Sequence, residues 1–218
     1  FYVVKTFKKC ILSMKKNKNL LLIFTRNPEL GKAKTRLAKT VGDETALEIY
    51  KFLLERTRDI SSKVNADKAV YYSVKIREND IWNPDIYQKY QQFGEDLGIR
   101  MLNAFKNGFE AGYKKVMIIG SDLYDLSEKN IEKAFVALNT NDVVIGPAED
   151  GGYYLLGMNS LQENVFKNKE WGTASVRKDT LTNLIDKKVK LLELKNDIDV
   201  YEDIVNIPEI MSTFIENK

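Results

Sequence analysis

The sequence predicts an α/β fold in which helices cover both faces of a single, mostly parallel central sheet. Short apolar runs alternate with stretches of helical periodicity, as in successive β-α-β units. The first run, 20–25, is continuously apolar, which is typical of a strand with both faces buried. A chain of 218 residues with 44% hydrophobic content can bury one substantial core. We therefore expect one domain over residues 20–218, preceded by an extension of residues 1–19.

The remaining elements follow the first strand in the order that such a sheet requires. Apolar residues at three- and four-residue intervals predict a helix that begins near Asp43. Further helices are expected over 97–112, from about Ser127, and from a capping Thr173 through Leu184 and Ile185. Further strands are expected at 68–74, 116–119, 142–146, 153–158 and 190–194. The aromatic-rich stretch 81–93 fits neither period and is left unassigned.

Composition excludes several classes of function. The 34 basic and 31 acidic residues are too balanced for a general nucleic-acid binder. The absence of histidine excludes Ser-His-Asp and Cys-His catalysis, and the single cysteine, Cys10, excludes an internal disulfide. No apolar run reaches the roughly 20 residues of a transmembrane helix, and we expect a cytoplasmic protein. Met14 is a plausible native start, which would make residues 1–13 an upstream extension.

A basic loop follows the first strand and precedes the first long helix. It contains Thr25, Arg26, Lys32, Lys34 and Arg36. Ligands of open α/β sheets bind at the carboxyl ends of strands, so this loop is placed to bind a phosphorylated ligand. It is not a P-loop, because the glycine expected five residues before Gly31 is absent. A solvated loop without a ligand is the alternative interpretation.

Acidic residues occur at a second strand end and near the C-terminus. Asp122 follows the apolar strand 116–119, where a carboxylate can hold Mg²⁺ or Mn²⁺ against a diphosphate. It could instead be an ordinary turn residue. Asp197 and Asp199 alternate along an extended segment, so either could complete a metal site with Asp122. Alternatively, they stabilise the N-terminus of a following helix.

A glycine-rich acidic loop separates two further predicted strands. Gly151 and Gly152 allow a ligand to approach the backbone closely, and Glu149 and Asp150 could accept hydrogen bonds from hydroxyl groups. A plain Asp-Gly hairpin turn is the alternative. The preceding Pro147 favours a longer, shaped loop.

Together these motifs resemble the radical-SAM/selenodomain-associated transferase family, which is also described as an arsenosugar-biosynthesis-type glycosyltransferase family. The matching segments are 24–37, 119–122 and 146–153, with additional likeness at 94–101, 171–176 and 197–203. They span nearly all of residues 20–205 in the same order. The family commonly has Cys-Pro after the strand-end acid, whereas this chain has Leu123 and Tyr124. Contacts to an acceptor at that point are therefore expected to differ.

The resemblance implies a Rossmann-like glycosyltransferase-A fold of the nucleotide-diphospho-sugar transferase superfamily. By this resemblance Asp122 matches the metal-binding acid, and Arg26, Lys32, Lys34 and Arg36 match the nucleotide-phosphate loop. From the residues themselves we expect Asp199 as a second metal ligand and Gly151, Gly152 and Tyr153 as substrate-binding residues. Asp150 or Glu149 would act as base or bind sugar hydroxyls.

Three functions follow from this interpretation. The first is metal-dependent transfer of a sugar from a nucleotide-diphospho-sugar to a small-molecule acceptor. The second is nucleotidyl transfer from an NTP to a phosphorylated small molecule, since four cations suit a triphosphate as well. The third is nucleotide binding without catalysis.

Overall fold

A computed structural model describes residues 18–216. Cys10, Met14 and the proposed upstream extension of residues 1–13 therefore lie outside the described part of the chain. The strands are β1 (Asn19–Thr25), β2 (Asp67–Tyr72), β3 (Tyr87–Gln91), β4 (Lys115–Ile119), β5 (Val143–Pro147), β6 (Tyr153–Met158) and β7 (Val189–Leu191). The helices are α1 (Thr35–Val41), α2 (Asp43–Lys63), α3 (Leu97–Glu110), α4 (Glu128–Ala137), α5 (Val176–Thr182) and α6 (Pro208–Ile210). Two 3₁₀ turns (Glu163–Phe166 and Tyr201–Asp203) and a π-helical turn (Met211–Ile215) complete the set. Within the described residues, no helix has both the length and the apolar character needed to cross a membrane.

All seven strands form one sheet in the order β3-β2-β1-β4-β6-β5-β7. Strand β6 runs antiparallel to β4 and β5, and every other pairing is parallel. The predicted single, mostly parallel sheet is confirmed. Because β1 and β4 are parallel neighbours with Ile23 beside Ile119, the segments after these two strands emerge at the same edge.

Helices cover both faces of the sheet, as predicted. Leu21 and Ile23 of β1 pack with α2 and α4, whereas Leu20 and Leu22 pack with α3 on the opposite face. This alternation explains why the residues of β1 from Leu20 to Phe24 are all apolar. The outer side of α2 is buried as well, because a third cluster joins Leu53 to the C-terminal segment containing Ile204.

Some element boundaries differ from the prediction. A short helix, α1, occupies part of the expected loop, and Gly42, at φ 83°, separates it from α2. The unassigned aromatic stretch contains the edge strand β3. Thr173 does not cap α5: Ser175 precedes the helix, and the Thr173 hydroxyl donates to the carbonyl of Glu170 at 2.8 Å. The helix ends before Ile185, which is 83% exposed, and the last strand begins one residue before the predicted 190.

Two adjacent residues of α4 provide a test of this packing. Phe135 is 2% exposed in the core, whereas Val136 is 64% exposed. We expect Phe135→Ala to lower the free energy of unfolding by about 3–5 kcal/mol, because it removes apolar contacts and leaves a cavity. Val136→Ala should change it by no more than about 0.5 kcal/mol. Urea denaturation of both variants measures the difference, and similar losses would contradict the assigned helix face.

Candidate active site at the carboxyl edge of the sheet

The basic loop and the acidic strand end meet at the carboxyl edge of the sheet. Lys34 Nζ lies 2.7 Å from Asp122 Oδ2, and the lysine side chain is only 6% exposed. Lys34 has a left-handed backbone conformation, with φ 50° and ψ 46°, immediately before α1. A non-glycine residue seldom adopts this conformation, and such strain is often found at functional sites.

The electrostatic surroundings keep Lys34 charged. Burial lowers the pKa of Lys34, but the charge of Asp122, its hydrogen bond and the charges of Asp199 and Asp197 together outweigh burial. The pKa of Lys34 therefore lies above its ordinary value, and Lys34 is a cation at neutral pH.

The other cations of the loop have different surroundings. Arg36 Nη1 lies 2.5 Å from Asp199 Oδ2, and Lys32 Nζ lies 2.9 Å from Glu29 Oε2. Lys32 is 74% exposed, and Arg26 is also exposed. Carboxylates thus already neutralise three of the four cations singled out from the sequence.

A buried phenol fixes the two strand ends relative to each other. The Tyr50 hydroxyl of α2 accepts a hydrogen bond from the backbone N–H of Arg26 at 2.9 Å. It also lies 3.2 Å from Thr25 Oγ1 and 3.3 Å from Ser121 Oγ. Thr25 is buried in this network, so its hydroxyl holds the loop in place from within.

Carboxylates gather beside Asp122. Burial raises the pKa of Asp197 to about 6, and the negative charges of Asp122 and Asp150 add to the effect. The backbone N–H of Ile198 donates to the Asp122 carbonyl at 3.2 Å, which ties the acidic turn to the end of β4. Asp199 instead faces Arg36.

These carboxylates supply the oxygen donors that a hard divalent cation prefers. Between residues 18 and 216, no group of three acidic side chains converges as a preformed metal cage. Mg²⁺ does not require one, because it commonly binds one or two carboxylates together with substrate phosphates and water. Burial and the neighbouring negative charges both disfavour the ionised form of Asp197, and a bound cation would favour that form. The residues present therefore fit Mg²⁺ or Mn²⁺.

The glycine-rich loop is a hairpin connection between β5 and β6 that also reaches the site. Gly151 has φ 90°, and a Cβ there would lie 2.4 Å from the carbonyl oxygen of Ala174, so only glycine fits. Asp150 Oδ1 accepts a hydrogen bond from the N–H of Gly152 at 2.8 Å. The hairpin interpretation of this loop is confirmed by the antiparallel pairing of β5 with β6, and its contact with a ligand stays a prediction.

A cavity of about 230 Å³ opens beside these groups. Asp122, Asp150, Asp197 and Gly152 line it, together with Tyr153. Glu149, Gly151 and Asp199 do not line it, although the sequence singled them out. Apolar residues missed by the sequence reasoning form much of its wall: Phe24, Leu97, Met101, Leu123, Trp171 and Val176. Leu97, Met101, Trp171 and Val176 lie within the family-like segments 94–101 and 171–176, which could have indicated them.

The residues that depart from the family pattern have separate roles. Leu123 is buried and contributes to the cavity wall. Tyr124 packs against Phe52, lies under the guanidinium of Arg56 at 4.4 Å, and donates to Glu209 at 2.7 Å. The departure therefore gives the cavity an apolar wall and ties the loop to the C-terminal segment.

A second cavity, of about 220 Å³, lies beside the start of the basic loop. Thr25 and Arg26 line it, with Lys51 and Glu55 of α2 and with Trp82.

The fold is that of nucleotide-diphospho-sugar transferases and cytidylyltransferases. A provisionally assigned nucleotide-diphospho-sugar transferase from Desulfovibrio desulfuricans G20 superposes with a TM-score of 0.78 at 31% identity, over 88% of this chain and 90% of that one. A 4-diphosphocytidyl-2C-methyl-D-erythritol synthase from Anaerococcus prevotii DSM 20548 has a TM-score of 0.54 at 13% identity, over 86% and 94%. A cytidylyltransferase from Leptospira borgpetersenii has a TM-score of 0.54 at 15% identity, over 91% of this chain and 88% of that one.

The chain itself belongs to the family described as "Uncharacterized protein conserved in bacteria (DUF2064)". The family model matches residues 57–173, which include the strand-end acid and the glycine-rich loop. A comparison with curated proteins found no match.

The clustered carboxylates predict a pH-dependent effect on stability. The folded-state pKa of Asp197, about 6, exceeds the value of about 3.9 expected for an unfolded chain. The folded state therefore binds the proton more tightly, and this group costs stability as the pH rises through that window. In EDTA, we expect Asp197→Asn to melt at a higher temperature than the wild type at about pH 7.5, with the difference vanishing near pH 4.

An exposed acid provides the control for this measurement. Asp186, between α5 and β7, is exposed to solvent. Asp186→Asn should change the melting temperature little at either pH. An Asp197→Asn variant that is less stable than the wild type at about pH 7.5 would contradict the raised pKa assigned to the buried Asp197 carboxyl.

Proposed function

We propose that the protein is a metal-dependent transferase that moves a sugar from a nucleotide-diphospho-sugar to a small acceptor. The observation that carries this proposal is the contact between Lys34 of the basic loop and Asp122 at the mouth of the cavity. It brings a phosphate-binding group and a metal-binding acid to one point. The likeness to the transferase from Desulfovibrio desulfuricans and the resemblance to the radical-SAM-associated transferases support the same reaction class.

The donor would lie across the basic loop. Its nucleoside would enter the second cavity, beside Arg26, and Arg26, Lys32, Lys34 and Arg36 would bind phosphate oxygens through charge-assisted hydrogen bonds. Asp122 and Asp197 would hold the divalent cation, because both line the first cavity and Asp199 does not. When bound, Mg²⁺ or Mn²⁺ would neutralise charge on the departing diphosphate.

The acceptor would bind in the first cavity. Asp150 lines that cavity, whereas Glu149 does not, so we assign Asp150 as the general base. Asp150 takes the proton of the acceptor hydroxyl while the hydroxyl oxygen forms a bond to the anomeric carbon of the sugar. The bond from that carbon to the diphosphate oxygen breaks, and the nucleoside diphosphate leaves with the electron pair.

The charge balance of the loop favours a diphosphate donor over a triphosphate. Glu29, Asp122 and Asp199 already neutralise Lys32, Lys34 and Arg36. Little net positive charge is left for the four negative charges of an NTP. A cation at Asp122 would release Lys34 toward the phosphates and supply the charge that a nucleotide diphosphate requires.

Product analysis distinguishes the transferase reactions. We expect slow hydrolysis of one nucleotide-sugar in a panel with Mn²⁺, with water replacing the acceptor, and no pyrophosphate from NTPs incubated with sugar phosphates. Pyrophosphate release without turnover of any nucleotide-sugar would establish nucleotidyl transfer instead. Absence of both reactions would favour nucleotide binding without catalysis.

Removal of one charge tests the metal-binding acid. With a saturating nucleotide-sugar and Mn²⁺, the wild type should gain about 3 kcal/mol of apparent stability at a hundredfold excess over Kd. Asp122→Asn should weaken Mn²⁺-dependent binding by about tenfold or more, measured by calorimetry. Asp186→Asn changes the same charge at an exposed position and should bind as the wild type does. Unchanged affinity in Asp122→Asn would refute the assignment.

A further inference from the structure

A lysine outside the basic loop is buried beside the segments that carry the carboxylates of the first cavity. Lys195, which follows β7, is only 9% exposed. Its Nζ lies 2.8 Å from Asp125 Oδ2 and donates to the Asp125 carbonyl at 3.1 Å. Lysine is seldom buried unless its charge is paired. A carboxylate and a carbonyl hold this ammonium group in place, and the proposed function assigns it no role.

Lys195 connects three segments of the chain. Its backbone N–H donates to the Pro147 carbonyl at 3.1 Å, and its carbonyl accepts from the N–H of Glu149 at 3.1 Å. Ala148 thereby pairs with Lys195 in an isolated parallel bridge. The side chain bonds Asp125, in the segment that follows β4. One residue thus joins its own turn to the end of β5 and to the chain after β4.

Each of these three segments carries one carboxylate of the first cavity. Asp122 lies in the segment after β4, Asp150 in the loop after β5, and Asp197 two residues beyond Lys195. All three acids line the cavity, whereas Lys195 does not. Ligands of a metal must be held within about 0.5 Å of their productive geometry, which requires support from the residues behind them. The contacts of Lys195 supply such support to all three segments.

We infer that Lys195 is a positioning residue, which fixes Asp197 and Asp150 relative to Asp122 through its bonds to the segments that carry them. This role rests on the proposed function in one respect, which is that Asp122 and Asp197 bind Mg²⁺ or Mn²⁺. Lys195 acts through those residues and not by contact with the metal, because an ammonium group and a metal cation repel each other.

The sign of the effect on metal binding separates positioning from electrostatics. Lys195→Met removes a positive charge beside the acidic turn, and by charge alone this change would strengthen the binding of a cation. Loss of the bond to Asp125 instead lets the turn shift. We therefore expect Mn²⁺ to bind about tenfold more weakly, at the lower end of the range for losing a group that orients metal ligands. The bond from the Ile198 N–H to the Asp122 carbonyl remains and limits the loss.

A titration of Mn²⁺ alone, without nucleotide, measures this affinity. Paramagnetic broadening of the amide signals around the three carboxylates reports binding at the site itself. Lys195→Arg keeps a cation that can reach Asp125 and should restore most of the affinity. Lys195→Gln also removes the charge but keeps a polar group, so it carries the same test if Lys195→Met does not fold.

Another buried lysine provides a matched control. Lys68 is 8% exposed, and its Nζ donates to the carbonyls of Val64 and Ala66, each at 2.8 Å. It lies at the start of β2, whereas the site lies where the strands end. Lys68→Met should lower the melting temperature, as Lys195→Met should, because both leave buried acceptors without their donor. Only Lys195→Met should weaken the binding of Mn²⁺.

Two results would overturn the role of Lys195. One is unchanged or tighter Mn²⁺ binding in Lys195→Met while Asp122→Asn weakens it, and the other is an equal loss of affinity in Lys68→Met. Affinity that does not respond to Asp122→Asn would overturn the metal assignment and this role with it.

Turnover of a nucleotide-sugar is a separate outcome. Weaker Mn²⁺ binding in Lys195→Met, without turnover of any nucleotide-sugar by the wild type, would leave the role of Lys195 standing and refute sugar transfer. Turnover by the wild type, with unchanged Mn²⁺ binding in Lys195→Met, would do the reverse.

Discussion

The arrangement of the site depends on the parallel pairing of β1 with β4 in the middle of the sheet. With Ile23 beside Ile119, both strands end at the same edge, and the residues that follow them are forced together. Tyr50 then bonds both ends from α2, so the basic loop and Asp122 cannot separate without breaking buried hydrogen bonds. A site built in this way is positioned by the core rather than by its own loops.

Side chains of opposite charge lie close together at the carboxyl edge of the sheet. The Lys34–Asp122 pair is largely shielded from water. In such surroundings each charge is stabilised mainly by the other. Asp197 adds a carboxylate whose ionised form is disfavoured in the folded chain. A divalent cation and a diphosphate bring the charges that would redistribute these contacts, with the cation taking the carboxylates and the phosphates taking the lysine. The energetic cost of holding these charges together would thus be recovered on binding.

Much of the fold could be predicted because the apolar pattern of the strands reflects burial on both faces. Leu20–Leu22 and Val116–Ile119 were recognisable for that reason. Strand β3 was not, because its sequence YQKYQ is largely polar, as an edge strand permits. The proximity of the basic loop to Asp122 could be predicted, because the ends of parallel strands share one edge of the sheet. The direct contact between Lys34 and Asp122 could not be predicted, because Lys34 adopts a left-handed backbone conformation that the sequence does not indicate.

The cavity was the least predictable part of the site. Phe24, Leu97 and Trp171 come from distant segments, and each resembles an ordinary core residue in the sequence. The sequence also left open the choice between Asp197 and Asp199, because the turn that contains them has no regular period. In the structure Asp197 lines the cavity, whereas Asp199 faces Arg36.

Anomalous diffraction from crystals grown with Mn²⁺ and a nucleoside diphosphate tests the central claim most directly. We expect a manganese peak between Asp122 and Asp197, with the diphosphate bridging it to the basic loop and Lys34 turned from Asp122 to a phosphate oxygen. A diphosphate bound elsewhere, or manganese with no contact to Asp122, would contradict it.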